Sequence, residues 1–264
     1  MIITVGVFIG LILGLTGAGG SIFAVPLFIL LLGLPVNDAM GVSLGAVSIT
    51  AVVGVLLRLR ENEVCWKPGA ILATGGVITA PVGRWLGSLT DENVLLTGFS
   101  LLAVGLALRM WKQAVDNQEI NHYRSVNTQA LNAESTMPVN GEPCTRAYLV
   151  GSGLACGFLS GLFGVGGGFI IVPLLTLYTR MGIKQAVGTS LFVIALVSAA
   201  GFGYHLWNVS GVSTDMLFRT SFGSVLGILL GTLIAKQLAG PRLQKLFACS
   251  VIAIMAVTVY RTVL

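Results

Sequence analysis

The stretch Gly17-Ala18-Gly19-Gly20-Ser21-Ile22-Phe23-Ala24-Val25-Pro26-Leu27 occurs a second time as Gly164-Val165-Gly166-Gly167-Gly168-Phe169-Ile170-Ile171-Val172-Pro173-Leu174. The match runs without a gap from 14–54 onto 161–201 at a constant offset of 147, and fourteen of the 41 pairs are identical. Within it, Ala39-Met40-Gly41-Val42-Ser43-Leu44 meets Ala186-Val187-Gly188-Thr189-Ser190-Leu191, and one added residue places Gly83 on Gly231. Chance apolar similarity does not preserve a gapless Gly/Pro skeleton, so the chain reads as two copies of one unit.

Outward from these stretches the chain is apolar almost throughout. Hydrophobic residues make up 55% and charged residues 9%, with a mean hydropathy of +0.92. A soluble domain carries roughly 25% charged residues, so this chain has too few to cover a water-facing surface. The 35 glycines suit helices that pack closely in a bilayer. The reading is an all-α integral membrane protein. Each half holds five apolar segments, at 2–16, 22–34, 39–57, 69–89 and 93–111, then 147–163, 169–181, 185–204, 216–236 and 243–260. The first two of each half are shorter than the roughly 20 residues a full span needs and meet at the glycine cluster. They are expected to form a short-helix hairpin with a Gly-rich tip, which leaves about eight to ten membrane segments. The first repeat covers 1–112, a polar linker 113–146 and the second repeat 147–264. The apolar start resembles a signal peptide but lacks the basic region that precedes one, and it is read as mature sequence.

Charge sets the orientation of the halves. The loop after the third segment holds Arg58, Arg60 and Lys67 in the first half, whereas its counterpart has no Lys or Arg between 205 and 216. Arg180 and Lys184, then Lys236, Arg242 and Lys245, mark the opposite loops in the second half. By the positive-inside rule equivalent loops lie on opposite faces, which makes the pair an inverted repeat, an architecture common among transporters. The net charge of +5 is thereby a topology signal, and nucleic acid is not expected as a partner. The expected partners are a lipid bilayer and a small anion, and a homo-oligomer is compatible with the sequence. The expected place is the cell inner membrane, multi-pass.

The glycine clusters are the candidate site. Irregular backbone at membrane depth survives only where protein or a water-filled cavity satisfies it. Gly19, Gly20 and Ser21, and likewise Gly166, Gly167 and Gly168, open new helices near Ile22 and Phe169. A helix N-terminus offers unpaired N–H groups and about half a positive charge, which suits an anion. Tight helix packing is the competing explanation of these glycines. Ser43, Thr189 and Ser190 are hydroxyls placed to bond an anion's oxygens, or else to bond back one turn. Arg84, alone near a segment end, is expected to snorkel to the headgroups or else to draw anions into a vestibule, and His205 to lie at the interface rather than to relay protons. Cys65, Cys144, Cys156 and Cys249 show no metal-binding or disulfide spacing. No enzymatic signature, metal cluster or cofactor motif is evident.

The doubled motif, Gly161 to Phe169 with Pro173, its first copy ending at Pro26, and Ala186 to Leu191, resembles the sulfite exporter TauE/SafE family of membrane permeases. The resemblance implies about eight spanning helices and movement of sulfur-containing anions such as sulfite or organosulfonates across the bacterial inner membrane. The first copy departs from the pattern with Ser21 for the third glycine and Val42 for Thr. A secondary carrier is the leading expectation, with a passive channel of the same fold or a non-transporting scaffold as alternatives.

The inversion is testable by cysteine labelling. Single cysteines at 62 and 211 occupy near-equivalent repeat positions and should react with an impermeant reagent from opposite sides of the membrane. Reaction of both from one side would rule out the inversion.

Overall fold

The computed structural model describes residues 1–17, 20–59, 61–105, 107–108, 143–179, 181–208, 214–238, 254 and 257. The described residues form nine helices and no strand. They are α1 (Ile2–Thr16), α2 (Gly20–Leu32), α3 (Val36–Leu59), α4 (Trp66–Leu89), α5 (Glu92–Gly105), α6 (Pro143–Phe163), α7 (Gly168–Thr179), α8 (Ile183–Asn208) and α9 (Thr214–Leu238). The nine expected segments from 2 to 236 each fall on one of these helices. The segment expected at 243–260, apart from residues 254 and 257, and the linker up to 142 lie outside the described residues.

Three helices, within α3, α8 and α9, are long and apolar enough to cross a membrane, and α1, α2, α5 and most of α6 are shorter apolar helices. Ile78, Leu101, Phe218 and Leu233 stand exposed, which suits a lipid-facing surface. Asp38 in the first turn of α3 and Arg58 in its last match the helix dipole. Polar residues at the helix starts extend several helices beyond the apolar segments that mark them in sequence. α2 begins two residues before the expected Ile22, at Gly20. Pro26 therefore lies past the four N–H groups that lack a helical acceptor, and it does remove an internal bond.

The two halves are interleaved. α1 packs on α9, and α6, the counterpart of α1, packs on α4, the counterpart of α9. α3 crosses α8, and the α3–α9 contact is matched by α8–α4. In the α1–α9 pair Gly6, Gly10 and Gly14 meet the backbone of Thr220, Ser224 and Ile228 in turn. In the α6–α4 pair Gly153, Gly157 and Gly161 meet Leu72, Gly76 and Ala80 in the same way. Both pairs run parallel, one glycine every turn. A Cβ at Gly10 would fall on the Ser224 carbonyl, and one at Gly157 on the Gly76 backbone.

α3 and α8 run antiparallel. Gly41 faces His205, Leu44 faces Gly201, Ser48 donates to the Ala195 carbonyl at 3.0 Å, and Gly54 faces Leu191. Ser48 and Ala195 are themselves equivalent positions, 147 residues apart.

Substitution at the parallel seams should be costly. Gly10→Val and Gly157→Val should each lower stability by about 1–3 kcal/mol through overpacking, or block insertion. Gly151→Val, at a position with nothing within 4 Å of a new Cβ, should stay within about 0.5 kcal/mol. Thermal unfolding of the purified protein in detergent reads the difference.

Candidate functional site

α6 ends at Phe163 and α7 begins at Gly168, so four residues turn the chain. Gly164, Gly166 and Gly167 adopt φ of 69°, 71° and 65°, a region where a Cβ is strained. This is why the turn is written in glycine. The Val165 N–H reaches the Ser160 carbonyl at 3.3 Å and the Ile170 N–H reaches the Gly167 carbonyl at 3.2 Å. The first turn of α7 thus starts at the tip, where N–H groups have no acceptor within the helix.

Three helices close around this tip. Met40 of α3 packs against Gly164, and Gly166 lies against Val47, Ile194 and Ser198. A Cβ at Gly167 would stand 3.2 Å from Ser160 Cβ and 3.0 Å from the Cys156 carbonyl. Ser43 lies on α3 between Met40 and Val47, one turn from each, and so shares their face. Ser43, Ser160 and Ser198 are 0–1% exposed, and their hydroxyls make no hydrogen bond. A buried hydroxyl left unpaired costs about 1–3 kcal/mol, so three around one turn need an explanation.

The other tip is built differently. Gly17, with φ 72°, caps α1 by donating to Leu13 at 2.8 Å, and it packs against Val187 as Gly164 packs against Met40. Ser190 Oγ lies 2.8 Å from the Val187 carbonyl and 3.1 Å from the Gly17 carbonyl. Thr189 Oγ1 accepts the Cys65 N–H at 2.9 Å. Gly20 and Ser21 are buried in the first turn of α2, and a Cβ at Gly20 would strike the α1 backbone at Leu13 and Ile9. Gly19 lies outside the described residues. Where Ser160 and Ser198 stand in the second half, the first has Leu13 and Ala51.

The structure therefore puts Gly166, Gly167 and Gly168 at one tip, and Ser43 on the face of α3 whose Met40 and Val47 pack there. It holds Thr189 and Ser190 in bonds to the backbone beside the Gly17 tip. Ser160 and Ser198 were missed as site residues. The signal that finds them is in the alignment of the halves, as polar residues in one copy opposite apolar residues in the other. One expectation is corrected. Arg84 does not snorkel, since it is 2% exposed and lies against the equally buried His205 in the last turn of α8, Arg84 Nη2 to His205 Nδ1 at 3.2 Å. A small-residue seam lets α4 press onto α6, with Gly161 against the Arg84 backbone, and Gly41 makes room for the imidazole.

Apolar helices throughout, three of them long enough to cross a membrane, fit an integral membrane protein. The profile of the family described as sulfite exporter TauE/SafE matches residues 2–258, and the chain belongs to that family of membrane transporters. It is 30% identical over 270 residues to a probable membrane transporter protein of Xylella fastidiosa (strain Temecula1), covering 99% of this chain and 96% of that one. The probable membrane transporter protein YdhB of Bacillus subtilis is 30% identical over 208 residues, 77% of this chain and 78% of its own length. The probable membrane transporter protein MJ0441 of Methanocaldococcus jannaschii is 24% identical over 273 residues, 97% and 92% of the two chains. No solved structure matches the chain significantly.

The two tips should answer differently to loss of a hydroxyl. Ser190→Ala breaks bonds that hold a tip and should cost about 0.5–1.5 kcal/mol. Ser160→Ala and Ser198→Ala remove unpaired hydroxyls and should leave the melting temperature unchanged or raised. A drop in either would show that the hydroxyl has a structural partner.

Proposed function

We propose that this transporter is a secondary carrier that moves a small anion, a sulfur-containing oxyanion or organosulfonate such as sulfite, across the bacterial inner membrane. In this reading the protein is multi-pass and its halves are inverted: a first membrane repeat at 1–112, a polar linker at 113–146 and a second repeat at 147–264. The antiparallel crossing of the equivalent helices α3 and α8, and the exchange of α1–α9 for α6–α4 when the halves are swapped, support the inversion. The description of the family supports the substrate class.

The observation that carries the reading is that Ser160 and Ser198, buried and unpaired, border Gly167 and Gly166 of the tip, with the equally buried and unpaired Ser43 on the face of α3 that carries Met40 and Val47. A sulfite or sulfonate headgroup presents three oxygens that accept hydrogen bonds from several directions. Three hydroxyls and the N–H groups opening α7 are donors of that kind, and the helix dipole adds positive potential. Donors fixed in place before the anion arrives replace its water without reorganisation, which a site of low dielectric needs. Val47 and Ile194, equivalent positions of the two halves, both touch Gly166. Their contact from both halves supports a tip lying between the repeats, where movement of one half against the other would expose it to either side. The tip at Gly17, with its hydroxyls engaged, serves in this reading as the frame.

The test is ligand-dependent thermal stabilisation of the purified protein, with sulfite, methanesulfonate, sulfate and acetate as probes, followed by flux into proteoliposomes. Sulfite or methanesulfonate should stabilise the wild type. The triple variant Ser43→Ala, Ser160→Ala, Ser198→Ala should fold and bind roughly a hundredfold more weakly or worse, since each bond to a charged group is worth about 1.5–3 kcal/mol. An undiminished anion response in that variant would move the site elsewhere.

A further inference from the structure

Arg84 is a buried cation that makes no ion pair. Its Nη2 donates to the Asn37 carbonyl at 2.8 Å, and Nη1 reaches Asn37 Oδ1 at 3.4 Å and Met40 Sδ at 3.5 Å. Nε is buried with no partner. The contact with His205 fixes the state of that ring. A guanidinium nitrogen can only donate, so Nδ1 must accept, and the imidazole is neutral with its proton on Nε2. The exposed Asp38, next to Asn37, makes no ion pair with Arg84.

The other end of the α3–α8 pair provides the comparison. Arg58, the counterpart of His205, reaches the Gly14 carbonyl at 3.5 Å beside the first tip and forms an ion pair with Glu63 at 2.9 Å. That arginine is neutralised within the fold. Arg84 is more deeply buried and pairs with no carboxylate, the exposed Asp38 attracting it only through space, and a buried charge without a paired counter-ion is costly. What it touches shows where a counter-ion would come from. Met40 meets the guanidinium through Sδ and meets Gly164 of the tip through Cβ and Cγ. One flexible thioether side chain separates the cation from the serine-lined turn.

Resting on the anion reading of that tip, we infer that Arg84 is an adjoining anion subsite: its guanidinium, held by Asn37 and His205, supplies the full positive charge that takes an oxyanion to or from the hydroxyls beyond Met40. The planar fork of the guanidinium suits a sulfonate or sulfite edge. The neutral His205 and Asn37 orient the fork without competing for its charge. The subsite offers one positive charge, which favours monoanions such as methanesulfonate or hydrogen sulfite over sulfate.

Two substitutions test this in the full chain, with methanesulfonate and sulfite as probes. Arg84→Gln removes the charge and leaves no orphaned carboxylate, so without anion it should melt at the wild-type temperature or above. Asn37→Asp, nearly isosteric, places a carboxylate beside the guanidinium and should stabilise the protein by pairing with it. Both should raise the half-saturating concentration of either anion roughly tenfold or more, and Arg84→Lys, which keeps the charge, should recover part of the loss. A purely structural Arg84 predicts otherwise: Arg84→Gln melts lower, and Asn37→Asp, although it melts higher under either reading, keeps the wild-type anion response. Wild-type half-saturation in Asn37→Asp overturns the inference, even if Arg84→Gln does not insert. If the serine variants lose the response while Arg84→Gln and Asn37→Asp keep it, this inference fails and the tip reading stands. If the Arg84 and Asn37 variants lose it while the serine variants keep it, Arg84 is an anion site and the tip reading fails. A wild type that responds to neither anion overturns both.

Discussion

The backbone-to-backbone contact of α1 with α9, and of α6 with α4, is the constraint on which the remaining structure depends. Each joins a helix of one half to a helix of the other, so neither half closes a core alone. Lipid chains are as apolar as leucine, and helices in a bilayer therefore gain from close packing more than from hiding apolar surface. Gly6, Gly10 and Gly14, and their equivalents Gly153, Gly157 and Gly161, allow that approach every turn. With α1 and α6 fixed in this way, the chain leaving each has to turn at the end of the seam. The turns fall at Gly17 and Gly164, against Val187 and Met40 of the opposite half. The tip positions follow from the seams.

Polar groups then distinguish two tips that the backbone makes alike. Inside a membrane protein a hydroxyl has few choices. It bonds back one turn, as Thr50 does to Ala46, or across helices, as Ser48 does to Ala195, or it stays unpaired at a cost. At Gly17 Ser190 takes the tip carbonyl, and the neighbouring positions Leu13 and Ala51 carry no polar side chain. At Gly164–Gly168 three hydroxyls take no partner. Gene duplication provides the scaffold twice, and substitutions in one copy convert a packing turn into a polar one. A change in only one copy does not disturb the seams, because the altered residues face the tip.

Much of the fold was legible in the sequence because its determinants are periodic or punctuating. Apolar runs locate the helices, and the Gly/Pro skeleton locates both hairpins within a few residues. Helix starts were less legible, since Gly20-Ser21 and Gly168 belong to the first turns of α2 and α7 although they read as linker. The interleaving of the halves was not legible at all. Gly6, Gly10 and Gly14 announce a close neighbour without saying that it is α9. The site was half legible for the same reason. Gly166 to Gly168 stand out as a cluster, whereas Ser160 and Ser198 are single hydroxyls among apolar residues, 38 positions apart, and gain meaning only when folding brings both to one turn. Arg84 was misplaced because a charge near a helix end defaults to the headgroups unless tertiary packing provides acceptors. Here Asn37, Met40 and His205 provide them from two other helices.

The unequal treatment of the two arginines bears on mechanism more than either does alone. Arg58 and His205 are equivalent positions at opposite ends of the crossed pair α3 and α8, so the fold builds a polar layer beyond each tip. On the Gly17 side that layer holds its own paired carboxylate, with Arg58 on Glu63 and on the Gly14 carbonyl, and Thr189 on the start of α4, although Arg58 Nε, like Arg84 Nε, has no partner. On the Gly164 side the layer carries a cation, a neutral imidazole, an amide and a thioether, with the exposed Asp38 acting on the cation only through space, and the hydroxyls behind it are unpaired. An anion is the one kind of solute that improves both the cation and the hydroxyls.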